Sequence, residues 1–64
     1  MDKIKKNELV AGNTYDSIEI IDVEDEKTIT IMDVTFKKCL FRSIENVNFS
    51  GCRFVFEDFK IGKY

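Results

Sequence analysis

Two thirteen-residue phrases stand end to end in the second half of this chain: DVTFKKCLFRSIE, residues 33–45, and NVNFSGCRFVFED, residues 46–58. They coincide at Val34/Val47, Phe36/Phe49, Cys39/Cys52 and Phe41/Phe54. Within each phrase the apolar residues come in pairs two apart, the spacing of neighbours on one face of a strand. Between the pairs lies a step of three, over Lys37–Lys38 in one copy and Ser50–Gly51 in the other. On a straight strand that step sends Phe36 and Cys39 to opposite faces. Both point inward only if the backbone turns a corner or bulges. The residues at the step are polar or small, as an outward corner requires.

Upstream, the texture is also that of strands. TYDSIEIIDV, residues 14–23, is rich in β-branched side chains, and TITIMDV, residues 28–34, alternates strictly through Ile29 and Ile31. The acidic stretch DVEDEK, residues 22–27, lies between them and predicts an N-terminal hairpin with a solvated tip. Residues 2–10, DKIKKNELV, are weakly periodic and suggest one or two helical turns before Gly12–Asn13.

Apolar pairs recurring every five residues resemble the register of the pentapeptide-repeat proteins. The pairs are Ile29/Ile31, Val34/Phe36, Cys39/Phe41 and Ile44/Asn46, then, after a shift of three, Val47/Phe49, Cys52/Phe54 and Glu57/Phe59. Asn48 and Asp58 occupy the place where that family often carries Asp or Asn. The resemblance covers residues 29–59 and implies a right-handed, four-sided β-helix of about twenty residues per coil. Asn46, Glu57 and the shift at Asn46–Val47 depart from the family pattern. A compact antiparallel sheet, with each copy a bulged strand or hairpin and SIENVN as the reversal, accounts for the same residues. Both readings are mainly β: a small β-sheet protein, or a truncated solenoid.

At 64 residues the chain is expected to be one small domain, 1–64, close to the size below which a single core struggles to hold a fold. No apolar run reaches a membrane span, and the charged N-terminus lacks the apolar stretch of a secretory signal, so a cytoplasmic location is expected. Net charge is −2. It divides unevenly, with +1 over residues 1–15, −5 over 16–32 and +2 over 33–64. That balance argues against general nucleic-acid affinity.

The chain contains no His, which removes the commonest general base and metal ligand. A Ser–His–Asp or Cys–His nucleophile cannot be assembled. Asp22, Glu24, Asp25 and Glu26 cluster, but without the order of a calcium loop. Cys39 and Cys52 hold equivalent places in the repeat and are expected as small core thiols; two thiols do not complete a zinc site. No enzyme, cofactor or metal is expected. Phe36, Phe41, Phe49 and Phe54 are expected in the core, and Phe56, outside the inward register, is expected on the surface as an interface anchor.

The expected function is a non-enzymatic protein–protein interaction module. Small acidic proteins of this composition are often phage- or mobile-element-encoded inhibitors of a host enzyme or defence complex. Asp22, Glu24, Asp25, Glu26 and Phe56 are its candidate partner-binding residues. Some pentapeptide-repeat proteins mimic DNA, and the resemblance lets these carboxylates stand in for phosphates. One alternative is nucleic-acid binding through Lys37, Lys38, Arg42 and Arg53; another is a purely structural homo-oligomeric subunit. Exposed strand edges predict a homodimer or higher oligomer in any case.

Overall fold

The computed structural model describes residues 1–24 and 26–56. Its strands are β1 (Asp2–Lys5), β2 (Thr14–Asp16), β3 (Ile18–Ile21), β4 (Ile29–Met32), β5 (Thr35–Lys37), β6 (Leu40–Arg42), β7 (Val47–Ser50) and β8 (Arg53–Val55). Each is three or four residues long because a corner follows almost at once. Those corners are where the backbone takes positive φ: Gly12, Ser17, Asp33, Lys38, Ser43, Asn46 and Gly51. Lys38 and Gly51 are the two corners predicted by the step of three.

Every strand pair is parallel. A first sheet has the order β1-β3-β6, a second β2-β5-β8, and a third β4-β7. From β3 onward the chain visits first, third and second sheets in turn, then repeats that circuit from β6. Parallel neighbours cannot be joined by a tight turn, so each strand's partner lies a whole circuit away. Phe41 stands over Ile20 and Phe36 over Tyr15, 21 residues apart in sequence. Phe49 stands over Ile31 and Phe54 over Phe36, 18 apart. The difference of three arises where the acidic stretch lengthens one circuit: Ile20 to Ile31 spans 11 residues, Phe41 to Phe49 only 8.

Three expectations are corrected. The antiparallel sheet is absent from the described residues. The predicted hairpin does not form either: β3 belongs to the first sheet and β4 to the third. The residues between them contain neither Gly nor Asn to close a tight hairpin turn, whereas parallel pairing places Ile18 and Ile20 over Asp2 and Ile4, and Ile29 and Ile31 under Val47 and Phe49. Residues 2–10 form β1 and a single 3-10 turn over Lys6–Glu8, since β3 offers β1 a partner that an isolated nine-residue helix would lack.

The thirteen-residue repeat is therefore not the stacking period. Advancing thirteen residues carries Phe36 of the second sheet to Phe49 of the third. The copies are alike because each negotiates similar corners; their equivalent strands lie in different sheets, β5 in the second and β7 in the third, β6 in the first and β8 in the second.

Inward-facing side chains from the sheets meet as layers. Ile20, Ile31 and Phe36 form the central one, and all are buried along with Val34 and Cys39. Ile4, Leu9 and Tyr15 pack beneath, partly buried. Phe41, Phe49 and Phe54 lie above, each within about 6 Å of the Phe36 ring centre: 5.0, 6.0 and 5.3 Å. Corner backbones stitch the circuits together, with Gly12 N–H donating to the Asp33 carbonyl and Asp33 N–H to the Ser50 carbonyl, both at 2.9 Å. Burial of the central layer, at about 1.5–3 kcal/mol per large side chain, is the principal stabilising term.

Candidate functional site

The strands fall in three sheets; between them residues 6–8, 22–24, 26–28 and 43–46 form no strand. A side chain supplies the missing cross-links there. Lys6 is almost completely buried, and its ammonium donates to Asp22 Oδ1 at 2.8 Å and to the Glu45 carbonyl. One lysine thus ties together three successive passes of the chain. A buried ammonium needs such partners, because leaving it unpaired costs several kcal/mol.

Asp22 is correspondingly drawn into the structure. The hydrogen bond from Lys6 holds its carboxyl below the ordinary carboxylate range, helped by the Val23 amide at 2.9 Å; desolvation opposes them, and the Lys6 charge and the Glu45 amide add smaller lowering effects. Of the four carboxylates nominated from sequence, Asp22 is bonded internally, Glu24 and Glu26 are exposed, and Asp25 lies outside the described residues. Among the described residues no three His, Cys, Asp or Glu side chains gather into a metal site.

The nominated aromatic is surface-exposed. Phe56 follows β8 directly and is 48% exposed. It is accompanied by two residues expected in the core. Phe49 and Phe54 both face inward and touch Phe36, yet each is 40% exposed. The cause is topological. β6, β7 and β8 are the outermost strands of their sheets on the same end of the molecule, and no described strand stacks on them. Their inward side chains consequently form a layer with one open face. Phe41, Phe49 and Phe54 brace one another there at 5.3–5.9 Å, in edge-on geometry.

The basic residues occupy adjoining sides. Lys37 and Arg53 are exposed on the second sheet, Lys38 sits at the next corner, and Arg42 is on the first sheet. Arg42 Nε donates to Glu19 Oε2 at 2.5 Å, and Glu19 is buried beneath it. The outward residues of the third sheet, Thr30, Met32, Asn48 and Ser50, carry no charge. Beside β4, where residues 7–11 pass without forming a strand, lies a groove of about 290 Å³ between Leu9, Ala11 and Met32.

Both thiols are free, Cys39 buried and Cys52 half-buried. Each points its sulfur at backbone oxygen, Cys39 to Tyr15 and Cys52 to Ile31, both at 3.3 Å. Such contacts satisfy a core thiol and prepare no nucleophile.

Sequence reasoning missed Lys6 and the Glu19–Arg42 pair. Lys6 sits in a run that reads as solvated, and only the close passage of Asp22 and Glu45 makes its burial tolerable. Membrane-spanning helices are absent from the described residues. In comparisons with protein-family models, curated proteins and solved structures, nothing matches this chain.

Proposed function

We propose that this chain is a non-enzymatic protein–protein interaction module, built as a short four-sided solenoid that presents an aromatic end. The repeated visiting order of three parallel sheets supports the solenoid reading, with Lys6 and Asp22 closing the fourth side. That architecture is what the resemblance to pentapeptide-repeat proteins implies. The observation that carries the function is the exposure of Phe49, Phe54 and Phe56, at 40%, 40% and 48%, at one end of so small a domain. Rigid, half-exposed aromatic side chains are the usual anchors of protein interfaces. Glu24 and Glu26 add an acidic projection able to steer a basic partner.

As a module of this kind the chain acts by covering a surface on another protein, such as a host enzyme inhibited by a phage or mobile-element product. Affinity capture with wild type, Phe56→Ala, and Glu24→Gln with Glu26→Gln tests it. A protein retained by wild type and lost from the Phe56 variant supports the reading. Identical retention by all three removes these residues as the interface.

A second reading rests on Lys37, Lys38, Arg42 and Arg53 gathering on adjoining sides. This arrangement suits a polyanion such as nucleic acid. Affinity for an oligonucleotide would then fall steeply as salt rises, through counterion release; a flat salt response rules it out.

A further inference from the structure

We propose that the groove beside β4 is a second binding site, which takes an extended, cationic peptide segment of a partner protein as an added strand of the third sheet. It lies along the edge of β4 that faces away from β7, apart from the aromatic end. Its chemistry follows from where the backbone groups of β4 point. Ile29 N–H donates to the Asn46 carbonyl and Asp33 N–H to the Ser50 carbonyl, so the odd-numbered residues bond to β7. Alternation along the strand turns the N–H and C=O groups of Thr30 and Met32 the other way, towards the groove that both residues line. Among the described residues no backbone hydrogen bond reaches them.

The pass of chain one circuit before β4 does not fill this place. Its backbone is engaged elsewhere: Val10 N–H donates to the Tyr15 hydroxyl at 2.9 Å, and the Val10 carbonyl accepts from Asn13 N–H at 3.2 Å. The pass rejoins the wall at Gly12, whose N–H reaches the Asp33 carbonyl. Between Asn7 and that corner lies the gap of about 290 Å³, walled by Leu9, Ala11 and Met32. The corresponding edge strands of the other two sheets, β1 and β2, carry exposed Lys3, Lys5 and Asp16, the usual guards against strand addition. The edge of β4 presents Thr30 and Met32 instead. A row of alternating donors and acceptors is matched by an extended peptide backbone. Charge selects its composition: the residues leading into β4 carry exposed Glu24 and Glu26, and Glu8 is exposed beside Asn7, against Lys27 alone among residues 23–28. Basic side chains flanking the added strand meet those carboxylates.

The test uses a capped synthetic peptide, two lysines followed by alternating valine and threonine, titrated into this chain while amide exchange is followed by NMR. The Thr30 and Met32 amides should slow saturably by about tenfold or more, with those of Ile29 and Ile31 little changed. Methylating the backbone nitrogens of the valine–threonine stretch should abolish the effect, and glutamates in place of the lysines should weaken binding about tenfold. Met32→Pro deletes one groove-facing N–H and spares the bonds to β7, so it too should weaken binding about tenfold. If that proline disturbs the β7 amides, the methylated peptide decides in its place. Phe56→Ala should bind the peptide as wild type does, which separates this site from the aromatic end. Unchanged Thr30 and Met32 exchange at saturating peptide, or equal binding of the methylated peptide, overturns the proposal. So does slow exchange of both amides without peptide: independent of protein concentration, it means that the chain covers its own edge; rising with concentration, that a second copy does.

Discussion

The first copy of the repeat, residues 33–45, contributes three buried side chains to the core, while the described part of the second, residues 46–56, contributes none. Val34, Phe36 and Cys39 are buried; their counterparts Val47, Phe49 and Cys52 are half-buried or exposed. The same side chains, at the same spacing, between comparable corners, are thus core in one copy and partly exposed in the other. The decisive variable is whether another layer stacks on top. Phe36 has Tyr15 below it and Phe54 above; Phe49 has Ile31 below and no described strand above. Burial here belongs to the position in the stack and is only loosely a property of the residue.

Truncating the two equivalent phenylalanines is the strongest way to break this comparison. Phe36→Ala should destabilise by about 3–5 kcal/mol, since it removes the ring at the centre of the aromatic contacts. Phe49→Ala should cost about 1–2 kcal/mol in the monomer, because much of its ring already meets water. Equal losses in denaturant titrations at low concentration would show the two copies to be equally buried.

The corners sharpen the comparison in the opposite sense, with the second copy the less tolerant. Lys38 and Gly51 are equivalent and share positive φ, at 53° and 66°. A β-carbon on Gly51 would come within 2.6 Å of Asp33 Oδ1, so Gly51→Ala meets a side chain as well as backbone strain. Its expected cost is about 1–2 kcal/mol. Pairing it with Asp33→Gly should recover much of that loss, and an additive double variant would remove the steric explanation.

The smallest effect concerns the thiols, which need no substitution. Cys52 should react with a thiol reagent several-fold faster than Cys39 under native conditions, since exposure is the main difference between them. Equal slow rates would place Cys52 in a covered site, and in a concentrated sample that protection would itself report association.

Much of the local structure was legible in the residues. The pairs two apart and the polar or small residues at each step of three determine which side chains face in and where the backbone turns, because strand geometry and corner sterics act over only a few positions. Alternation at Ile18/Ile20 and Ile29/Ile31 likewise marks β3 and β4 correctly. Pairing was not legible. Parallel partners lie 16 to 21 residues apart in sequence, and nothing in β3 or β4 alone distinguishes joining each other as a hairpin from joining separate sheets. Nor could the residues show that Lys6 is buried, because its burial depends on Asp22 and Glu45 arriving from two later passes of the chain. The exposure of Phe49 and Phe54 was invisible for the same reason: their sequence environment is that of core residues, and only the stacking order puts them in the outermost layer. Local sterics wrote the corners and the inward register into the sequence; the order of the sheets, a long-range choice among competing pairings, decided which of those inward residues became core and which stayed half-exposed.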